Sequence, residues 1–230
     1  MRKVLVSIAS VFLSVAGVIS LFLIFKEYAK SNIREDVKES IIKSFEEGET
    51  DFDVPSDERL AITGEDGDDS DQDLFLSWIK IAEYKQSRGG EYDSLHLAGI
   101  IEIPDLDIEE PVWEENTSLA MRYGVILMDF SAGLDEPGNS IIVGHRNTVT
   151  HTVFDSLVDI DENSRVIIIS SDGTRNEYRV DSTDYCSPYE LQDYVSGISG
   201  SSKTITLVTC AREYGNCWRF VVTLLPVTES

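Results

Sequence analysis

The sequence predicts a mainly β protein, a closed or nearly closed β-barrel of eight strands with a few short helices, preceded by a transmembrane helix and an acidic linker. Three observations support this. An uncharged apolar stretch lies near the N-terminus, an acidic segment follows it, and from about Leu74 short runs rich in Val, Ile and Thr recur without βαβ alternation. The net charge of −23 disfavours nucleic-acid binding, which needs Lys and Arg to neutralise phosphates.

The first element is an uncharged stretch of 22 residues, 4–25. It is long enough to cross a hydrocarbon layer of about 30 Å as a helix. A cleavable signal peptide is the alternative, but its apolar region usually covers about 7–15 residues, and no A-x-A-like site follows here. We therefore expect residues 1–26 to form a short N-terminal tip and an uncleaved signal anchor. Basic residues flank both ends, so charge alone does not decide the orientation.

Two segments are expected between the membrane and the barrel. Residues 27–45 are predicted to form a juxtamembrane helix or stalk, because apolar residues recur every four positions at Ile33, Val37, Ile41 and Phe45. Residues 46–73 carry thirteen acidic side chains and one basic one, which predicts a flexible, solvated linker. The acids do not follow the ligand order of an EF-hand loop, so specific calcium binding is not expected.

Residues 74–230 are predicted to form the barrel domain, since about 150 residues suffice to bury a core. Helical character is expected near residues 118–123 and 189–195. The eight predicted strands share enrichment in β-branched residues and flanking turn residues; they are 97–104, 106–113, 124–129, 139–144, 166–170, 176–180, 203–209 and 218–225.

The candidate chemistry lies at strand ends. His145 and Cys210 each follow an apolar strand, and Arg219 lies just inside the last strand, which should form a hairpin with the strand of Cys210. A thiolate can attack a carbonyl, an imidazole can protonate the leaving amine, and a guanidinium can stabilise the oxyanion. Singly, each residue has a structural explanation, such as a cysteine acting as a small buried apolar side chain. Together they predict an acyl-transfer site.

The order and surroundings of these residues resemble the sortases, membrane-anchored cysteine transpeptidases of Gram-positive surfaces. Asn-Ser-Ile-Ile-Val-Gly-His145-Arg is followed 65 residues later by Thr-Leu-Val-Thr-Cys210, and Arg219 comes nine residues after that. The resemblance covers roughly residues 95–227. Gly-Ile-Ile-Glu-Ile-Pro at 99–104, Phe-x-x-Leu at 154–157 and Ser-Pro at 187–188 also fit.

The resemblance implies a sortase-type barrel outside the cell, with the N-terminus inside and residues 74–230 as the catalytic domain. It implies a catalytic triad of His145, Cys210 and Arg219. The expected reaction is cleavage of a Leu-Pro-x-Thr-Gly-like sorting signal between Thr and Gly through a Cys210 thioester. The acyl group is then transferred to an amine of a peptidoglycan precursor or a pilin lysine. This chemistry requires no metal and no other cofactor.

Three further residues are candidates for substrate binding. Thr209, next to the nucleophile, is expected to shape the substrate groove. Arg146 is a weaker candidate, with a surface ion pair as the favoured alternative. His151 lies six residues past His145 and is a candidate for orienting substrate, although a solvent-exposed histidine is the simpler interpretation.

The resemblance is closer to sortase classes C, D and E than to class B. Pilus-building enzymes usually carry an Asp-Pro-Trp or Asp-Pro-Phe lid, but none of the six prolines here follows an aspartate. No second apolar span follows Arg219. Both features favour cell-wall anchoring, or attachment of a pilus or other surface protein, over pilin polymerisation. A class C-type polymerase lacking the lid and a degenerate membrane-tethered binding module are the alternatives.

Two other enzyme classes fit the spacing less well. An L,D-transpeptidase has its His and Cys much closer together, and papain-like hydrolases have Cys before His. The remaining cysteines, Cys186 and Cys217, are permitted to pair in an extracellular setting, but two free cysteines are the favoured expectation.

Overall fold

The computed structural model describes residues 19–20, 34–55, 92–117, 119–147, 152–187, 190–191, 194, 203–211 and 218–227. Nearly all of the predicted membrane span lies outside the described residues, as do His151 and Cys217. Most of the helix expected at 189–195 also lies outside them, although Leu191 and Tyr194 are helical. Within the described ranges no helix combines the length and apolarity needed to span a membrane.

The described residues include eleven strands and, besides isolated helical residues at 19–20, 191 and 194, two α-helical segments. The strands are β1 (Asp51–Pro55), β2 (Tyr92–Ile103), β3 (Ile108–Trp113), β4 (Val125–Leu127), β5 (Gly138–Val143), β6 (Arg146–Asn147), β7 (Thr152–Val153), β8 (Arg165–Ser170), β9 (Arg175–Cys186), β10 (Lys203–Cys210) and β11 (Arg219–Pro226). Helix α1 covers residues 34–46 and α2 covers Ala120–Tyr123. Two 3₁₀ helices cover Pro104–Leu106 and Ser156–Asp159.

Eight of these strands close into a barrel, as predicted. Their order is β2-β3-β4-β5-β10-β11-β9-β8, and β8 pairs back onto β2. Most neighbours are antiparallel, but β3 runs parallel to β4, and β5 runs parallel to β10. Because parallel strands end at the same edge, this second pairing brings the residues that follow β5 and β10 to one end of the barrel.

The barrel interior is filled by alternate residues from all eight strands. Within β10, Ile205 and Leu207 point into this core, whereas Val208 joins a second cluster on the opposite face. This period of two is the ordinary geometry of a strand. Cys210 therefore shares its face with Val208, outside the barrel core.

The second cluster connects α1, β1 and α2 to the outer face of the barrel. Ile41 and Phe45 are buried in it, so the predicted apolar face of α1 packs on the barrel. Phe52 in β1 meets Trp113 edge to face, with ring centroids 6.0 Å apart.

Strand β1 lies within the segment 46–73 that was predicted to be a flexible linker, and it corrects that prediction for residues 51–55. Residues 51–55 pair antiparallel with 92–96. Asp51 and Asp53 are exposed, whereas Phe52 is partly buried and Val54 fully buried. The acids therefore stay in water while the alternating apolar side chains reach the second core, which a count of acidic residues does not reveal.

A buried ion pair holds the start of α1 against the barrel. Arg34 Nη2 lies 2.5 Å from Glu110 Oε2 on β3, and Arg34 Nε donates to the Arg122 carbonyl at 3.0 Å. Burial raises the pKa of Glu110, and the charges of Arg34 and Lys38 oppose that rise. Helix α1 is thus packed on the barrel as part of its outer layer.

Candidate active site

Cys210 and Arg219 are direct cross-strand neighbours. Cys210 ends β10, Arg219 begins β11, and the two are opposite each other in the antiparallel pairing. The Ala211 N–H donates to the Trp218 carbonyl at 2.9 Å, so the next pair along is a hydrogen-bonded one. Cys210 and Arg219 therefore form a non-hydrogen-bonded pair, the kind with Cα atoms about 4.5 Å apart and the closer side chains.

The parallel pairing of β5 with β10 brings His145 to the same end. Val143 lies opposite Val208, and His145 and Cys210 each lie two residues farther along. The Gly144 N–H donates to the Val208 carbonyl at 3.1 Å, which extends the pairing beyond β5. The structure thus brings together the three residues predicted as catalytic, with His145 exposed, Cys210 half-buried and Arg219 buried.

Thr209 connects the ends of β10 and β5, next to Cys210 and His145. Its side chain is 1% exposed, and its hydroxyl donates to the Gly144 carbonyl at 2.9 Å. One hydrogen bond therefore links the residue before Cys210 to the residue before His145. A contact of Thr209 with substrate stays a prediction; what the structure shows is a connection between the two strand ends.

Close packing fixes the backbone around His145. A Cβ added to Gly144 would lie 2.5 Å from the Phe154 ring and 2.8 Å from Val125, so only glycine fits there. The Phe154 N–H donates to the His145 carbonyl at 2.9 Å, and the Phe154 ring is fully buried. Val153 has φ of 59°, an unusual conformation for a β-branched residue that is held by its surroundings.

Arg146 forms an ion pair, but this pair is largely buried, whereas the sequence analysis favoured a surface one. Its Nε lies 3.9 Å from Asp155 Oδ1, and the side chains are 13% and 15% exposed. Arg146 also pairs with Val153 across the short β6–β7 hairpin. The ion pair thus lies at the base of the hairpin that follows His145.

The Arg219 guanidinium is oriented by a backbone carbonyl. Its Nη1 donates to the Trp218 carbonyl at 2.9 Å, and the side chain is 3% exposed. The same carbonyl accepts the Ala211 N–H, so it joins the arginine to the residue after the nucleophile candidate. The guanidinium is therefore held in a fixed orientation at the strand end that faces Cys210.

A second thiol lies on the other side of Arg219. Cys186 is opposite Arg219 in the β9–β11 pairing, which makes a row of Cys186, Arg219 and Cys210 across three strands. Cys186 is a free, buried thiol, and burial, reinforced by the charge of Glu190, raises its pKa to about 11. Two strand spacings of about 4.8 Å separate it from Cys210, too far for a disulfide. Cys186 therefore lacks the ionisation and access that a nucleophile needs.

Three contributors to the site were missed by the sequence analysis. Gly144 was noted only as part of a motif, and its steric role depends on Phe154, which is distant in sequence. Asp155 was not paired with Arg146, although it is the second residue of the Phe-x-x-Leu segment at 154–157. The Trp218 carbonyl is a backbone group that every residue has, so the residue type does not indicate its role. In the part of the chain that the structure describes, no three His, Cys, Asp or Glu side chains are placed to hold a metal ion.

Comparison with known proteins identifies the family. A family model described as the sortase domain matches residues 101–227, more than half of the chain. The chain belongs to the sortase family. Sortases are transpeptidases with a cysteine nucleophile, and of the two described cysteines Cys186 is buried and Cys210 is partly exposed.

Solved sortase structures share the fold. Sortase C1 of GBS Pilus Island 1 is 21% identical, with a TM-score of 0.51 over 57% of this chain and 66% of that one. Sortase C-1 from Actinomyces oris is 24% identical, with a TM-score of 0.52 over 57% and 72%. A lid mutant of sortase A from Corynebacterium diphtheriae is 22% identical, with a TM-score of 0.54 over 70% and 94%. This sortase thus spans about two thirds of the first of these chains. No curated protein matches it.

Proposed function

We propose that this sortase cleaves a Leu-Pro-x-Thr-Gly-like sorting signal and transfers the released acyl group to an amine on the cell surface. The observation that carries the proposal is the cross-strand pair of Cys210 and Arg219, with His145 at the end of the neighbouring parallel strand. That arrangement supplies a nucleophile, an oxyanion partner and a proton carrier at one end of a rigid barrel.

The first half-reaction forms a thioester. The Cys210 thiolate attacks the carbonyl carbon of the substrate threonine, and the oxyanion that develops is stabilised by the Arg219 guanidinium. The carbon–nitrogen bond to glycine then breaks, and protonated His145 gives its proton to the leaving amine. The Trp218 carbonyl holds Arg219 in place before substrate arrives, so little reorganisation is needed during the step.

The second half-reaction releases the acyl group. Neutral His145 takes a proton from the incoming amine as its nitrogen attacks the thioester carbonyl, and the Cys210 sulfur leaves as thiolate. Arg219 stabilises the second oxyanion as it did the first. The site returns to its starting protonation state, with thiolate and imidazolium together.

The activity test uses a labelled Leu-Pro-x-Thr-Gly peptide. The full chain in detergent should cleave it between Thr and Gly, and Cys210→Ala should abolish cleavage. Cys186→Ala is the matched control, since it removes the other thiol beside Arg219 and should leave cleavage within about twofold of wild type. A well-folded wild-type protein that binds the peptide without cleaving it would instead identify a degenerate binding module.

The acceptor is proposed to be a cell-wall amine, in anchoring or attachment of a surface protein. The support is the missing Asp-Pro-Trp or Asp-Pro-Phe lid, since no proline here follows an aspartate. Competition between a peptidoglycan cross-bridge amine and a lysine-bearing pilin domain would test this. Preferential transfer to the cross-bridge amine is expected, and preferential transfer to the pilin lysine would make the enzyme a polymerase lacking the lid.

The localisation proposed is a single-pass membrane protein with its catalytic domain outside the cell. It is supported by the 22-residue uncharged stretch at 4–25. Deleting residues 1–26 should give a soluble protein with unchanged peptide cleavage, because α1 and its contacts with the barrel are retained. Loss of cleavage in a folded truncation would show that the anchor contributes to the active structure.

A further inference from the structure

We infer that the Arg146–Asp155 ion pair is a positioning device for His145. The inference rests on the proposed catalytic role of His145. Arg146 is the residue after His145, and Asp155 follows Phe154, whose N–H donates to the His145 carbonyl at 2.9 Å. The two charged side chains thus lie on the two chain segments that enter and leave the β6–β7 hairpin.

In the described part of the hairpin, the backbone pairing is short. Strands β6 and β7 contain two residues each, and their pairing joins only Arg146 to Val153 and Asn147 to Thr152. Val153 is in a left-handed conformation that is unfavourable for valine, so the closed hairpin needs contacts that offset this strain. An ion pair at its base, with both side chains about 85% buried, is screened less by water than a surface pair.

The Arg146–Asp155 pair lies on the hairpin side of His145, and this position determines its effect. Gly144 and Phe154 fix the backbone on the barrel side of His145, whereas Arg146 and Asp155 hold the hairpin side. Loosening the hairpin would leave the Cys210–Arg219 pair intact and lower the fraction of molecules in which His145 faces Cys210. Arg146 and Asp155 are therefore positioning residues that act through His145, without touching substrate.

A double-mutant cycle tests this inference. Arg146→Ala and Asp155→Ala should each lower kcat about tenfold with KM changed less than twofold. The kcat of the double variant should be no lower than that of the less active single variant. Arg146→Lys and Asp155→Glu should recover most of the rate. Alkylation of Cys210 by iodoacetamide should be unchanged, because the loss lies on the histidine side of the site.

The matched control is the exposed ion pair of Arg165 and Glu177, whose side chains are 53% and 46% exposed. Its alanine variants should leave kcat unchanged. A lower melting temperature with wild-type kcat in the Arg146 and Asp155 variants would overturn the inference in favour of a purely structural pair. Additive losses with a raised KM would overturn it in favour of substrate binding by Arg146.

His145→Ala separates this inference from the proposed function. It should lose at least about a thousandfold in kcat. If it keeps the wild-type rate, the assignment of His145 is wrong and the positioning inference fails with it. If His145→Ala is inactive while the Arg146 and Asp155 variants are fully active, only the positioning inference fails.

Discussion

Two arginines, Arg34 at the start of helix α1 and Arg219 beside Cys210, are both buried but have partners of different chemistry. Arg34 is 4% exposed and Arg219 is 3% exposed. Arg34 lies within hydrogen-bond distance of two carboxylates, those of Glu35 and Glu110, and also donates to the Arg122 carbonyl. Arg219 is held by a backbone carbonyl, and its neighbours on both adjacent strands are cysteines.

The difference lies in the chemistry of the partners. Carboxylates neutralise the Arg34 charge permanently, and their interaction fastens α1 to the barrel. The residues opposite Arg219 on the two adjacent strands are thiols, which carry no permanent charge, and its guanidinium is oriented by the Trp218 carbonyl. Burial of an arginine therefore predicts a function only when its partners are considered.

The largest effect is expected from removing the carboxylate of Glu110. Glu110→Ala leaves Arg34 buried without its main partner, and breaking a buried ion pair in this way costs about 3–5 kcal/mol of folding free energy. Urea denaturation at pH 7 would measure it. Glu177→Ala, which removes a half-exposed carboxylate facing Arg165, should cost less than about 1 kcal/mol. An equal small loss in both variants would contradict a structural role for the Arg34–Glu110 pair.

Substitution of Arg219 should mainly lower activity, whereas substitution of Glu110 should mainly lower stability. Arg219→Ala should lower kcat/KM by about 10²–10³, the usual loss when one oxyanion donor is removed. Arg219→Lys should restore little of that rate, because an ammonium lacks the planar fork of donors. Steady-state peptide cleavage, alongside a thermal melt, would measure both. Near wild-type kcat/KM in Arg219→Ala would make Arg219 a structural charge like Arg34.

Thr209 should have an intermediate effect. Thr209→Val keeps the shape but removes the hydroxyl that donates to the Gly144 carbonyl, so kcat/KM should fall about tenfold while Thr209→Ser stays near wild type. Thr206→Val is the control on the same strand, because its buried hydroxyl bonds to Asn139 at 2.9 Å, away from the catalytic end. It should cost about 0.5–1.5 kcal/mol of stability by removing one of the two threonine hydroxyls that donate to the Asn139 side-chain oxygen, and it should cost no activity. An equal loss of kcat/KM in Thr209→Val and Thr206→Val would contradict a specific role for the Thr209 hydroxyl.

The smallest effect on activity is expected from Cys186, although it also faces Arg219. Its pKa of about 11 keeps the thiol protonated at neutral pH, so peptide mapping should show alkylation of Cys186 only at strongly alkaline pH. The native state holds this proton more tightly than the unfolded chain. Stability from Cys186 should therefore be fully present below pH 9.0 and lost as the pH rises toward about 11. Rapid alkylation of Cys186 at pH 7 would contradict its burial.

The sequence was sufficient for the eight barrel strands because each has a strong local pattern of Val, Ile and Thr. It was also sufficient for His145, Cys210 and Arg219, which the structure brings to one end. It missed β1, where acids alternate with Phe52 and Val54 inside an acidic segment. It could not pair Arg146 with Asp155, or Arg34 with Glu110, because such contacts depend on how the chain closes in three dimensions.

Trapping the acyl-enzyme tests the central claim most directly. Wild-type enzyme would be mixed with a Leu-Pro-x-Thr-Gly peptide without amine acceptor, quenched in acid within one turnover, digested and mapped by mass spectrometry. The account predicts a thioester that adds the Leu-Pro-x-Thr acyl mass to the fragment containing Cys210, and no such adduct in Cys210→Ala. An acyl adduct on Cys186 or Cys217, or continued cleavage by Cys210→Ala, would contradict it.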